Sequence, residues 1–214
     1  MLSEAQKEAV VARVARLERA TGLQVVTAVT PKADAYPEIP WCAFALAAAM
    51  AGLAVVVADL IRPDWGDHAS VMLGVVAVLL AGATSAAATL VVPAYARLFL
   101  HAARRDREVR QYAQCLFLEQ RLERTREHDA VLLLVARFER KVELVADTGF
   151  DGRLGPDDWR AVVAATSGAL AHADLAAALI AGLDRLEQVL AGRGFVAHGG
   201  TNELPDAPLE AAAT

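Results

Sequence analysis

Residues 41–58 have the sequence WCAFALAAAMAGLAVVVA, and residues 69–96 have the sequence ASVMLGVVAVLLAGATSAAATLVVPAYA. Neither stretch contains a charged side chain. About 20 apolar residues in a helix cross the hydrocarbon core of a bilayer. Because lipid offers the backbone no hydrogen-bond partners, each stretch must be helical. We therefore predict a two-helix transmembrane hairpin at residues 36–100, with spans at about 41–60 and 69–93.

The segment between the two runs, IRPDWGDH at residues 61–68, contains a Pro, a Gly and two Asp, a composition typical of a solvated turn. It is too short for anything but an antiparallel return. The alternative is a pair of buried helices in a soluble protein, but two adjacent uncharged runs of this length are rare there. Aromatic side chains are predicted to anchor the hairpin at the lipid–water interface: Trp41, Trp65, Tyr36 and Tyr95.

Small residues recur four positions apart in both runs, and such surfaces allow close helix contact in lipid. They predict the seam of the hairpin, although a homo-oligomer would use the same surfaces and the sequence does not separate the two. The pairs are Ala47 with Ala51, Ala48 with Gly52, Gly82 with Ala86, and Ser85 with Thr89.

The basic residues near the hairpin predict its orientation. The linker carries only Arg62, whereas Lys32 precedes the first span and a group of arginines follows the second. Because cytoplasmic loops carry the excess of Lys and Arg, we predict that both termini face the cytoplasm. The predicted location is the cell (inner) membrane, with two spans. The arginines of that group are Arg97, Arg104, Arg105, Arg107 and Arg110.

Composition limits the remaining classes of function. The hydrophobic fraction is 56%, above the usual share of about 45–50%, and the excess lies in the two apolar runs. The net charge of −5 provides no basic field for nucleic acid. The two cysteines, Cys42 and Cys115, are expected to be unpaired.

The rest of the chain predicts a helix-flanked sheet. Ser3 and Gln6 form a capping-box pattern that begins a helix ending at Gly22. The other predicted elements are a strand at 23–30, a helix that continues past Pro93, a charged helix at 104–127, strands at 130–136 and 140–147, a helix from Pro156, and a leucine-rich helix from Leu175.

The two strands at 130–136 and 140–147 are joined too closely for a crossover, so they predict an antiparallel hairpin turning near Phe138. The helix between the strand at 23–30 and the strand at 130–136 predicts a βαβ crossover. We therefore predict an α/β fold, with a small mixed sheet flanked by helices and interrupted by the transmembrane hairpin. The predicted domains are 1–35 and 101–195 around the hairpin at 36–100, followed by a flexible tail at 196–214.

Several of these segments together resemble the TPM domain family. They are LQVVTAVT at 23–30, HDAVLLLVA at 128–136, RKVELVADTGF at 140–150 and NELPD at 202–206. The last resembles the tail of a membrane-embedded bacterial branch, in which two spans are inserted after the first strand. The resemblance implies helices around a small sheet. It also implies links to acid phosphatase activity, divalent metal binding and the upkeep of membrane complexes.

Three carboxylates form the candidate metal site. If the strand hairpin is symmetric about Phe138, Asp129 and Asp147 are cross-strand neighbours, and Asp151 follows on the next loop. Carboxylate oxygens of this kind bind Ca²⁺ or Mg²⁺. The alternative is that these residues are solvated turn aspartates. No nucleotide-binding loop or nucleophile elbow occurs in the sequence, and no catalytic residue is predicted.

Two functions follow from these patterns. The first is a membrane-tethered, non-enzymatic accessory module whose partners are the lipid bilayer and an unidentified membrane or membrane-associated protein. The alternative is a divalent-metal-dependent, acid-phosphatase-like hydrolase that uses the aspartate end of the sheet.

Overall fold

The computed structural model describes residues 2–61, 68–172, 174–195 and 207–210. The chain divides into two compact units, residues 1–34 with 105–214 and residues 35–104. The described helices are α1 (Glu4–Thr21), α2 (Glu38–Ile61), α3 (His68–Val91), α4 (Pro93–Ala96), α5 (Ala102–Glu119), α6 (Pro156–His172) and α7 (Leu175–Gly192). The described strands are β1 (Gln24–Thr30), β2 (Ala130–Ala136), β3 (Lys141–Ala146) and β4 (Leu209–Glu210).

The first unit is built on a four-stranded sheet in the order β3-β2-β1-β4. Strands β2 and β4 run parallel to β1, and β3 runs antiparallel to β2. Every residue of β1 and β2 is buried, and burial on both faces explains why β2 is a continuous apolar run. The predicted α/β fold with a mixed sheet is confirmed.

Helices cover both faces of this sheet. Helices α1, α6 and α7 pack on one face, where their apolar side chains meet Val25, Val131 and Leu133. Helix α5 packs on the other face, against Val26 and Leu132. This division follows the alternation of side chains along each strand, because successive residues point to opposite faces.

The ends of α1 have the caps that the sequence predicts. The Ser3 side chain accepts from the Gln6 backbone N–H, and the Gln6 side chain accepts from the Ser3 backbone N–H. At the other end Gly22 has φ 77°, the left-handed conformation that glycine adopts without a steric penalty. These caps satisfy backbone groups that the helix itself leaves open.

Helix α5 is shorter than the predicted helix at 104–127. It ends at Glu119, and Arg121 adopts a left-handed conformation with φ 56°. The chain then forms a short 3-10 turn that buries Leu122 at 1% exposure. Burial of this leucine against the sheet accompanies the early end of the helix.

The predicted flexible tail contains a short strand. Leu209 and Glu210 pair with Ala28 and Val29 of β1, so β4 covers the edge of the sheet. A strand of two residues is too short to show a hydrophobic periodicity in the sequence. It forms because the unpaired edge of β1 offers backbone hydrogen-bond partners. Residues 196–206 and 211–214 of the predicted tail, including the NELPD segment, lie outside the described residues.

In the second unit, α2 and α3 each have 24 residues and pack against one another as a helical hairpin. The predicted turn at residues 62–67, with Trp65, lies outside the described residues. The prediction that the second helix continues past Pro93 is wrong. The helix ends at Val91, and Val92 is extended with φ −113° and ψ 93°, because a residue that precedes proline is driven away from the helical region.

Candidate functional site

The apolar surface of the hairpin is its most distinctive feature. Both helices are long and apolar enough to cross a membrane, and only 0% and 6% of their most apolar windows are buried. A core helix of a soluble protein would be mostly covered instead. Large apolar side chains therefore point outward along both helices, including Trp41 at 73%, Leu53 at 65%, Leu73 at 63% and Leu90 at 77% exposure.

The seam between α2 and α3 contains some of the small residues that the sequence predicts, Gly82, Ser85 and Thr89, whereas an added Cβ at Gly52 would meet no atom within 4 Å. Gly82 and Thr89 are buried, and a Cβ atom at Gly82 would lie 2.7 Å from the Phe44 ring. The Ser85 hydroxyl donates to the Ala43 carbonyl of the other helix at 3.0 Å. The Thr89 hydroxyl bonds back to the carbonyl of Ala86 on its own helix, at 2.7 Å. Close approach is therefore combined with a hydrogen bond between the helices.

The predicted aromatic anchors differ in exposure. Trp41 is exposed, as an interface residue requires. Tyr36 is buried at 1% exposure, and the Arg104 guanidinium lies 5.8 Å from its ring centroid, so the prediction that Tyr36 anchors the hairpin at the lipid–water interface is wrong. Tyr95 is partly buried, and its hydroxyl lies 2.7 Å from the Ser85 hydroxyl.

The predicted metal site lies at the end of the β2–β3 hairpin that is opposite its turn. The Asp147 side chain is 8% exposed there, and one carboxylate oxygen is 3.2 Å from Nδ1 of His128. The other oxygen accepts the Thr148 backbone N–H at 2.7 Å. Asp147 thus caps the short 3-10 turn at Thr148–Phe150.

Gly149 is required for this local packing. Its N–H donates to the His128 carbonyl at 2.9 Å, and a Cβ atom at this position would lie 2.4 Å from the same oxygen. Any side chain would push the loop away from the end of β2. The arrangement fixes the position of the Asp147 carboxylate relative to His128.

The strand register separates the two aspartates that the sequence places side by side. Ala136 pairs with Lys141 and Val131 with Ala146, so the turn has four residues and is not symmetric about Phe138. The Asp147 N–H consequently donates to the Ala130 carbonyl at 3.0 Å. Because a shift of one residue moves a side chain to the opposite face, Asp129 and Asp147 are not the expected cross-strand pair.

Asp151 is exposed, and its N–H donates to the Thr148 carbonyl at 3.0 Å. In the part of the chain that the structure describes, no group of three or more His, Cys, Asp or Glu side chains is placed to hold a metal ion. The prediction of Ca²⁺ or Mg²⁺ at Asp129, Asp147 and Asp151 is untested and stays a prediction.

A charged network joins α5 to β3. The Lys141 ammonium lies 3.0 Å from Asp106 and 3.6 Å from Glu143, and Arg110 contacts Glu143 at 3.2 Å. The hydrogen bond from Lys141, together with one from Arg105, holds the pKa of Asp106 below its ordinary value. These contacts fasten the outer edge of the sheet to the helix that covers it.

The sequence predicts only a turn near Phe138, but in the structure the turn at residues 137–140 also contains a buried glutamate and two arginines that line a pocket. Glu139 is 2% exposed, and its side chain accepts the Ala33 backbone N–H at 2.9 Å. Arg137 and Arg140 are exposed and line a pocket together. The run RFERK at residues 137–141 is the only signal of this, and it does not specify which charges point inward.

Comparison with known proteins agrees with this architecture. Residues 86–189 match the family model described as the TPM domain. The NMR structure of the BA42 protein from the psychrophilic bacterium Bizionia argentinensis is similar, with a TM-score of 0.58 and 12% sequence identity. The match covers 99% of this chain and 96% of that chain, and at this identity it shows the fold alone. Among curated proteins none matches. The matched segment, residues 86–189, is therefore similar to the TPM domain family.

Proposed function

We propose that this protein is a membrane-anchored accessory module. Helices α2 and α3 hold the TPM domain at the bacterial inner membrane, where the domain docks partner proteins that maintain membrane complexes. One observation carries the proposal: two 24-residue apolar helices interrupt the α/β domain and expose their large side chains. Burial of such surface in lipid is favourable by roughly 25 cal/mol per Å².

The proposed orientation places both termini in the cytoplasm. It rests on the excess of basic residues before α2 and after α3, compared with the single Arg62 of the linker. A reporter fused at Thr214 that is active only in the cytoplasm tests this orientation. Activity of a reporter that works only after export would reverse it.

The accessory role predicts a protein neighbour on the surface of the domain. A photo-crosslinking amino acid at Leu118, which is 62% exposed on α5, or at the exposed Gln188 on α7, is expected to yield a defined protein adduct in intact membranes. The matched control is Leu53, which is 65% exposed on α2 and is expected to face lipid. Absence of any adduct from both domain positions would contradict docking, and an adduct of twice the chain mass would identify the partner as a second copy.

The alternative function, a metal-dependent phosphatase, predicts a different result. The purified full chain would then hydrolyse a simple phosphomonoester with Mg²⁺ or Ca²⁺, and Asp147→Ala would abolish the activity. Because Asp147 also caps a turn, Asp147→Asn is the companion variant. This substitution retains an oxygen that can accept the Thr148 N–H but removes the negative charge a metal ion requires. Hydrolysis by the wild type that is lost in both Asp147 variants would contradict the accessory role and establish the phosphatase function.

A further inference from the structure

The β2–β3 turn forms one wall of a pocket at the end of the sheet. The pocket has a volume of about 350 Å³ and is lined by Arg137, Arg140, Ser167, Leu170, Ala171 and Leu175. The arginines belong to the turn, and the other four residues lie on α6 and at the start of α7. The volume falls within the range of small-molecule sites, about 300–1,000 Å³.

The turn is held firmly by its neighbours. The Arg137 N–H donates to the Thr30 carbonyl at 3.0 Å, and the Phe138 N–H donates to the Pro31 carbonyl at 3.0 Å. The buried Glu139 side chain accepts the Ala33 N–H at 2.9 Å. Because these contacts bind the turn to the last residue of β1 and to the segment that follows it, the backbone that carries Arg137 and Arg140 is fixed.

The electrostatic character of the pocket is positive. Both arginines are exposed, neither forms an ion pair within the described residues, and no acidic side chain lines the pocket. Two acids are close in sequence to lining residues. Glu139, between the two arginines, is buried and accepts the Ala33 N–H at 2.9 Å. Asp174, next to Leu175, accepts the Ala177 N–H at 2.7 Å and a Gln6 side-chain N–H at 2.9 Å. Those hydrogen bonds hold the pKa of Asp174 below its ordinary value, and they direct its carboxylate into the cap of α7.

Two guanidinium groups beside a hydroxyl suit one class of ligand. Guanidinium groups form paired hydrogen bonds with the oxygens of phosphate, and their charge is permanent at physiological pH. The Ser167 hydroxyl adds a donor, while Leu170 and Leu175 provide apolar contact for the remainder of a ligand. We propose that this pocket binds the phosphate group of a phosphate ester.

This site is separate from the aspartates of the phosphatase hypothesis. Arg137 and Arg140 lie at the turn of the β2–β3 hairpin, whereas Asp147 lies at its open end. The six-residue strand β3 lies between them, and at about 3.3 Å per residue this corresponds to roughly 20 Å. Binding at the pocket therefore does not depend on either function proposed above.

Two sources supply such a phosphate, an anionic lipid headgroup and a soluble phosphate ester. Phosphatidylglycerol and soluble glycerol phosphate share the chemistry, so they distinguish the two sources.

The test uses the full chain, purified in neutral detergent without phosphate. One arm measures retention of phosphatidylglycerol against phosphatidylcholine by native mass spectrometry, and the other measures binding of glycerol phosphate by titration calorimetry. The double variant Arg137→Gln/Arg140→Gln is compared with the control Arg160→Gln/Arg185→Gln, which removes the same charge from exposed positions of α6 and α7 that do not line the pocket.

We expect at least one arm to show binding, and the pocket variant to weaken it by at least about tenfold, because it loses charge-assisted hydrogen bonds. The control pair should bind as the wild type does. Equal loss in both double variants would attribute binding to net charge and overturn the site, as would binding in neither arm. Circular dichroism of the pocket variant establishes that it is folded, and alkaline extraction establishes that membrane insertion, on which the proposed function rests, is unchanged.

Discussion

At the scale of single residues, Gly182 marks the tightest contact between α6 and α7. A Cβ atom there would lie 2.2 Å from the Thr166 hydroxyl and 3.0 Å from Leu133. Thr166 is fully buried, and its hydroxyl donates to the Val162 carbonyl at 2.9 Å. The two helices can approach this closely on the sheet only because position 182 has no side chain.

We predict that Gly182→Ala lowers the free energy of unfolding by about 1–3 kcal/mol, the usual effect of overpacking a core. The matched control is Gly168→Ala on α6, where no atom lies within 4 Å of the added Cβ. That variant should gain about 0.8–1 kcal/mol from helix propensity. Thermal unfolding of the full chain in detergent, followed by circular dichroism, measures both, and a melting temperature for Gly182→Ala at or above wild type would contradict the packing.

Four carboxyl groups of the folded domain link stability to pH. Each accepts hydrogen bonds that hold its pKa below the ordinary value: Asp106 from Lys141 and Arg105, Asp158 from the Gly155 N–H and Arg193, Asp174 from the Ala177 N–H and Gln6, and Glu210 from the Leu2 N–H and Lys7. A lowered pKa in the folded state means that the unfolded chain binds protons more readily. The stabilisation is therefore complete above the ordinary pKa and is lost as the pH falls through the folded values.

We predict that the melting temperature of the full chain falls as the pH is lowered from about 5 to about 2, the range just around and below ordinary carboxyl pKa values. Asp106→Asn keeps an oxygen that can accept from Lys141 but removes the ionisable carboxyl whose pKa is lowered, so its melting temperature should fall less steeply over the same range. Parallel curves for wild type and variant would contradict the role assigned to the Asp106–Lys141 hydrogen bond.

The sequence predicts residue types at the candidate sites better than it predicts their neighbours. It identifies Asp147 and Asp129 as strand-end carboxylates, but whether they pair depends on the strand register. The register is set by a four-residue turn, in which Glu139 is buried and Arg140 adopts a left-handed conformation with φ 50°. The same turn brings Arg137 and Arg140 to α6 and α7, a tertiary contact that no local pattern encodes.

At the scale of elements, periodicity and caps predict most of the structure. Helix α1 begins and ends where Ser3 and Gly22 indicate, and β2 has the predicted bounds. The predicted element bounds are wrong where a proline ends a helix or where a distant segment of the chain pairs with a strand. Pro93 ends α3 early, and the exposed edge of β1 pairs with a two-residue strand whose Glu210 accepts the Leu2 N–H at 2.9 Å.

The hairpin seam provides a test at this scale. We predict that Gly82→Leu weakens the α2–α3 contact by about 1–3 kcal/mol, because the new side chain meets Phe44. The control Gly52→Leu should have little effect, since nothing lies within 4 Å of a Cβ at position 52 and this glycine borders an open cavity of about 580 Å³. The readout is loss of helix on titration with a denaturing detergent, and equal midpoints for the two variants would place the seam elsewhere.

At the scale of the whole molecule, the two units place their apolar residues in opposite ways. The α/β domain buries its apolar residues on both faces of a sheet, whereas the hairpin exposes them. In water such an exposed apolar surface would drive aggregation. Composition alone indicates this arrangement, because the uncharged runs at 41–58 and 69–96 lie between segments of ordinary charge content.

The most direct test of this account is alkaline carbonate extraction of membranes that contain the full chain. The wash removes peripheral proteins, and a peripheral protein in the same sample serves as the control. We predict that the chain stays in the membrane pellet and is released only by detergent. Its recovery in the carbonate supernatant as a water-soluble monomer would contradict the membrane anchor.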